Sequence, residues 1–168
     1  MAKKAKTNAM RILERERVAY TVHTFAAIKL SAVEVAERVG KPADQVFKTL
    51  VVLSVAHRPR TYLAVIPGNR ELDLKKMAKA VGQKRLQMAT QKQAEKLTGL
   101  QVGGISPLAL LSKGFGVLVD SSASEHEQIL VSAGQRGMNL ELSPIELTRI
   151  VSGQAADLTR PPAALGAP

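Results

Sequence analysis

The sequence predicts a single α/β domain of α+β-like character, with a mixed, barrel-like β-sheet surrounded by helices. Three observations predict it. The run Val46-Phe47-Lys48-Thr49-Leu50-Val51-Val52-Leu53 has the length and the β-branched, apolar content of a core strand, with Pro42 before it and Arg58-Pro59-Arg60 after it. A second such run, 61–66, follows closely enough to form a hairpin with it. Capped helical segments are scattered among the strands, with no internal repeat and no interdomain linker, and 168 residues suffice for one sizeable core.

The elements follow in order. Thr7 is placed to cap a helix over 7–17, with Met10, Leu13 and Arg17 at helical spacing and a charged, solvated face. Residues 18–25 read as a strand with Val18, Tyr20, Val22 and Thr24 on one face. Ser31 and Glu34 have capping-box spacing and Gly40 stops that helix. The hairpin through His57 to Arg60 leads to strand 61–66, and Pro67-Gly68-Asn69 is a turn. Asp73 caps a helix over 74–81 closed by Gly82; a short strand over 84–88 follows, then a helix over 90–97 ended by Gly99. Strands are predicted at 115–119, 128–132 and 138–142. Ser143, Pro144 and Glu146 then start a last helix running to about 151. By organisation, residues 1–8 read as a basic flexible start, 9–157 as the domain and 158–168 as a disordered Pro/Ala tail.

Composition narrows the function. Three Phe, two Tyr and no Trp leave an aliphatic core and disfavour an aromatic base-stacking platform. Lys and Arg number 24 against 14 Asp and Glu, a formal net charge of +10 that favours a polyanionic partner. The absence of cysteine excludes disulfides, thiolate nucleophiles and cysteine metal sites. No apolar run reaches transmembrane length and no signal segment follows Met1 to Lys6, so a cytoplasmic protein without a membrane partner is expected.

The candidate chemistry centres on Lys48. Strand alternation puts it with Val46, Leu50 and Val52, while Thr49 points with Phe47, Val51 and Leu53. Snorkelling to solvent is the plain explanation; a cation on the floor of a pocket, holding an anionic or carbonyl oxygen, is the functional one. Gly103-Gly104-Ile105-Ser106-Pro107 is either an ordinary turn or a rim where backbone meets a ligand, and it lacks a phosphate-loop fingerprint. His23, His57 and His126 lack metal-ligand spacing and read as structural, and Glu125 and Glu127 as surface. Lys75, Lys76, Lys79, Lys84 and Arg85 form a basic cluster suited to a solvated face or to phosphate contact.

Four strings, in order, resemble the YbaK/EbsC family of aminoacyl-tRNA deacylases: Asp44-Gln45-Val46-Phe47-Lys48-Thr49-Leu50, Leu72-Asp73-Leu74-Lys75-Lys76, the glycine loop 103–107, and Val131-Ser132-Ala133-Gly134-Gln135-Arg136-Gly137. The resemblance spans about residues 9–157. It implies the fold of the editing insertion of bacterial prolyl-tRNA synthetases and hydrolysis of wrongly charged tRNA, chiefly Cys-tRNA(Pro), with Cys-tRNA(Cys) as a further substrate. It further implies that Lys48 is the essential lysine and that Thr49, Gly103, Gly104, Ser106, Pro107, Ser132, Gly134, Phe25 and Asn139 bind substrate; the charge pattern makes Lys75, Lys76, Lys79, Lys84 and Arg85 the candidates for tRNA contact. No metal or cofactor is implied; the partners are aminoacyl-tRNA and, as a further candidate, prolyl-tRNA synthetase. Two positions depart from the family pattern: Phe25 stands where Tyr is common and Asn139 where Asp is common. The segment between Phe25 and Lys48 is short, so the family's aromatic wall residue there has no counterpart. The implied mechanism uses the substrate's own thiol. Its rivals are water attack on Ala-tRNA(Pro) and a non-catalytic tRNA- or synthetase-binding module.

Overall fold

The computed structural model describes residues 5–162; the ends of the predicted flexible start and Pro/Ala tail lie outside them. Among the described residues, five helices and ten strands follow in the order α1 (Asn8–Arg15), β1 (Thr21–Thr24), α2 (Ala32–Val39), β2 (Phe47–Ser54), β3 (Thr61–Pro67), β4 (Glu71–Leu72), α3 (Leu74–Val81), β5 (Leu86–Met88), α4 (Gln91–Thr98), β6 (Gly116–Asp120), β7 (Ile129–Ser132), β8 (Met138–Leu142), α5 (Pro144–Ile150), β9 (Gln154–Ala156) and β10 (Thr159–Arg160). Two 3-10 turns, Leu108–Lys113 and Ser121–Glu125, were not legible in the sequence.

The strands form sheets rather than one closed barrel. The larger has the order β5-β2-β3-β6-β9, the smaller β1-β8-β7, and β10 pairs with β4. β2 and β3 are the antiparallel hairpin, in register from Phe47↔Pro67 to Leu53↔Thr61. β3-β6 and β6-β9 are parallel, so each is joined by a long crossover carrying other elements. The two larger sheets meet where Val46 bridges Leu130 in parallel, with Leu130 N–H donating to Gln45 O at 3.0 Å.

Strand alternation sorts the core. Phe47 and Val51 of β2 face a cluster with Leu13, Leu63, Leu108 and Leu140; Val52 faces another with Ile66, Met77 and Leu118 beneath α3. A third, small cluster sets Val35 and Ala36 of α2 on Val46 and Leu130, seating that helix over the junction of the sheets. The predicted caps form: Ser31 and Glu34 close a capping box, Asp73 accepts from Lys75 N–H and Lys76 N–H, and Gly40, Gly82 and Gly99 end their helices in the left-handed region.

Three expectations need correction. Asn8 belongs to α1, so a helix begins inside the stretch expected to be flexible. β1 begins only at Thr21, because Arg17 turns with φ 58° and Tyr20 reaches back to Glu14 at 3.1 Å; Val22 is exposed on an edge strand. The tail boundary at 158 is too early. Leu158 is fully buried, its N–H donates to Asp120 at 2.9 Å and its carbonyl accepts from Asp73 N–H at 2.7 Å, before Thr159–Arg160 pair with β4. An apolar Leu and two edge strands outweigh the prolines that follow.

Candidate active site

β2 is bonded along one edge to β3, but its other edge is shared. Val46 meets β7 at one end, and at the other Val52–Ser54 pair with β5 while Ala89 N–H donates to Val51 O at 3.0 Å. Between these junctions no strand pairs with that edge among the described residues, and a cavity of about 350 Å³ opens there. The cavity meets the strand edge-on, so Lys48 and Thr49, on opposite faces of β2, both line it. This is also where the strand's burial relaxes: Lys48, Thr49 and Leu50 are half-buried between fully buried neighbours.

Lys48 does not snorkel free. Its Nζ donates to the Gly68 carbonyl at 3.2 Å. Burial lowers its pKa below the ordinary lysine range, and the charge of Glu71 opposes that shift only partly. Lys48 is the one titratable side chain lining the cavity among the described residues. The turn that supplies its acceptor must carry glycine: a Cβ at Gly68 would stand 2.6 Å from Ala32 Cβ and 2.9 Å from Val46 O.

Thr49 Oγ1 is buried without a hydrogen-bond partner, an expensive state for a hydroxyl. Gly103, at φ 94°, also lines the cavity, on a loop locked to the turn after β7. Arg136 Nε donates to Val102 O at 2.8 Å, and a Cβ on Gly104 would fall 2.8 Å from both Arg136 N and Gln135 C. Ser132 and Asn139, directly paired across β7 and β8, add a further polar stretch of wall.

Of the substrate-binding candidates, the structure brings Lys48, Thr49, Gly103, Ser132 and Asn139 together around the cavity. Phe25, Gly104, Ser106, Pro107 and Gly134 do not line it. Phe25 packs with the small cluster under α2 and its N–H donates to Gly137 O. Gly104 permits backbone contact with Gln135 and Arg136. Ser106 is fully buried, accepting from Ala109 N–H, and Pro107 is buried beside it. Gly134 N–H donates to Ser132 Oγ at 3.2 Å, supporting a lining residue from behind.

Sequence reasoning missed the Gly68 carbonyl and the apolar walls from Leu30, Ala32 and Met88. The turn Pro67-Gly68-Asn69 was visible, but nothing local says that its carbonyl faces a lysine twenty residues earlier.

One member of the basic cluster is engaged within the fold. Lys75, Lys79, Lys84 and Arg85 are exposed. Lys76 is instead tied to the C-terminal segment, donating to Asp157 Oδ2 at 2.9 Å and to Thr159 O at 2.8 Å. The sequence showed no acid within the cluster; the fold supplies one from 81 residues away.

Comparison with known proteins bears on the family and the fold. The model of the aminoacyl-tRNA editing domain matches residues 29–150, which include every residue lining the cavity. A protein of Enterococcus faecalis named "Putative Cys-tRNA(Pro)/Cys-tRNA(Cys) deacylase EbsC" is 44% identical over 164 residues, covering 95% of this chain and 98% of that protein. Among solved structures, hypothetical protein APE2540 superposes with a TM-score of 0.82 at 25% identity, covering 91% of this chain and 99% of that one. A structure described as "a putative trans-editing enzyme for prolyl tRNA synthetase" gives a TM-score of 0.74 at 25% identity, over 94% and 99% of the two chains. The chain therefore belongs to the aminoacyl-tRNA editing-domain family, and within it to the YbaK/EbsC group.

Proposed function

We propose that this protein is a trans-editing aminoacyl-tRNA deacylase that removes cysteine from mischarged Cys-tRNA(Pro), and from Cys-tRNA(Cys) as a further substrate. The observation that carries the reading is a mostly apolar cavity whose single titratable side chain is a half-buried lysine, in a chain 44% identical to a protein bearing that activity in its name. An aminoacyl ester is already reactive, so the enzyme's task is to orient it and stabilise the charge that develops on its carbonyl oxygen. Lys48 is the fitting donor: its ammonium is already held in the cavity by one carbonyl, and it has further protons to offer an oxyanion.

The hydroxyls lining the cavity, Ser31, Thr49 and Ser132, have no histidine or carboxylate among the lining residues to activate them. In this reading the nucleophile is the substrate's own thiol, as the family resemblance implies. The S–C bond forms as the ester C–O bond breaks, the thiol proton is taken up by the departing ribose oxygen or by water, and a cyclic thioester leaves. Thr49 and the Gly103 backbone orient the aminoacyl group, with Ser132 and Asn139 on the wall around it. The exposed cations Lys75, Lys79, Lys84 and Arg85 steer the tRNA, in the cytoplasm where charged tRNA and prolyl-tRNA synthetase are found.

Single-turnover deacylation of Cys-, Ser-, Ala- and Pro-tRNA tests the reading, with a search for the cyclic thioester. Cys-tRNA is expected to be cleaved fast and Ser-tRNA barely, because a hydroxyl ionises far less readily than a thiol. Equal rates on Cys- and Ala-tRNA, with free amino acid the sole product, would assign attack to water.

A further inference from the structure

Exposure separates the mouth of the cavity from its floor. Among the lining residues, Val46, Gly68 and Ala94 are buried and Lys48 is half-buried, whereas Ser31, Met88, Gln91 and Gly103 are exposed. The exposed four frame the opening. Ser31 caps α2, Met88 ends β5, Gln91 begins α4 and Gly103 belongs to the glycine loop. Lys29 stands on this rim. It immediately precedes Leu30, which lines the cavity, and its Nζ donates to Gln91 Oε1 at 2.8 Å across 62 residues of chain. The reaction derived above gives it no part.

The rim keeps an unneutralised positive charge. Among the described residues no acid lines the cavity. Glu34 and Glu95, the first acids of α2 and α4, are turned onto backbone: Glu34 accepts from Ser31 N–H at 3.1 Å and Glu95 from Val102 N–H at 2.9 Å. Lys29 itself forms no ion pair among the described residues. Its partner Gln91 is a neutral amide, which orients the ammonium without cancelling its charge as a carboxylate would. That bond uses one ammonium proton and leaves two.

An aminoacyl ester seated with its carbonyl at Lys48 has to lead its nucleotide out through the mouth, because a chain charged at every link cannot stay in an apolar cavity. The first charge along that chain is the phosphodiester on the 5′ side of the esterified ribose. We propose that Lys29 is a binding residue for this phosphodiester: positioned by Gln91, it anchors the terminal nucleotide of the tRNA at the rim while Lys48 meets the ester. A lysine is a compact point charge with rotatable donors, which fits a non-bridging phosphate oxygen. The contact reads backbone and not base, so it sets the register of the 3′ end and leaves discrimination to the cavity. The seating of the ester rests on the deacylase reading; a phosphodiester contact at the rim is measurable without it.

Binding of uncharged tRNA over a salt series is the first test. Lys29→Gln is expected to reduce the slope of log Kd against log salt by about one on complete tRNA, the value of one phosphate contact. On tRNA shortened by its terminal nucleotide, which lacks that phosphodiester, the same change is expected to leave the slope unaltered. No reduction on complete tRNA, or the same reduction on both, would overturn the proposal. Single-turnover deacylation is the second test. Lys29→Gln is expected to lower kcat/KM about tenfold on Cys-tRNA and on cysteinyl-cytidylyl-adenosine, the scale of one hydrogen bond to a charged group. On cysteinyl-adenosine, which has no phosphate, the loss is expected to be several-fold smaller. Equal losses on all three substrates would make Lys29 a part of the cavity wall and overturn the phosphate contact. Lys29→Arg, which keeps the charge, is expected to retain most of the binding and turnover. If no charged tRNA is cleaved, the deacylase reading falls and the salt series alone decides the role of Lys29.

Discussion

Lys48 carries its charge into an apolar strand, and the physical consequence has a sign. Burial lowers its pKa, so desolvation of the ammonium weighs against the folded state at every pH below that lowered value. The penalty is relieved as pH rises from the lowered pKa towards the ordinary lysine value. Lys48→Met is therefore expected to melt no lower than the unmodified protein at neutral pH, yet to lose deacylation by at least about a hundredfold. Thermal melting beside single-turnover kinetics checks this; a destabilised but active variant would return Lys48 to a packing role. Thr49 poses the same opposition between fold and function. Its buried hydroxyl has no partner, so Thr49→Val is expected to leave stability unchanged or raised and to impair turnover. A variant with intact kinetics would show that the hydroxyl never meets substrate.

Among the elements, the glycine loop and the turn after β7 act as one unit. Gly104 touches the backbone of Gln135 and Arg136, which cannot move aside as a flexible side chain would. Gly104→Ala is expected to destabilise the fold by about 1–3 kcal/mol, the usual scale of overpacking. It is also expected to raise KM, because Gly103 sits next to the displaced peptide. Denaturant melts and steady-state kinetics check both parts, and a neutral effect on both would mean that the two loops separate freely. The sequence marked this loop by its two glycines, but not their division of labour. Gly103 faces the cavity while Gly104, Ser106 and Pro107 hold the loop in place.

For the whole molecule, the question is how a basic surface meets a long polyanion. Reversing Lys75, Lys79, Lys84 and Arg85 to Glu is expected to raise KM more than it lowers kcat, and to flatten the dependence of tRNA binding on salt. Lys76→Glu belongs to a different class. Its ammonium fastens Asp157 and the Thr159 carbonyl, so that change is expected to lower the melting temperature as well. Binding titrations over a salt series, with melts in parallel, distinguish the two; salt-independent binding would leave the positive charge serving solubility alone.

The sequence by itself determined the local structure and the family. Helix caps at Ser31, Asp73 and Ser143, the hairpin from β2 to β3 and the last strand over Met138–Leu142 follow from side chains and backbone torsions within a few residues of one another. Four ordered strings sufficed for kinship. Tertiary structure alone decided where the cavity opens and what lies within reach of it, because that depends on which strands leave the edge of β2 unpaired. It supplied Gly68 O to Lys48, withheld Phe25 from the cavity, set His23 beside Asn139, and drew Leu158 out of an apparently disordered tail into the core. Each of these contacts joins residues far apart in the chain. Periodicity and capping carry no information at that range, since the closure of such loops is driven by the burial of the core as a whole.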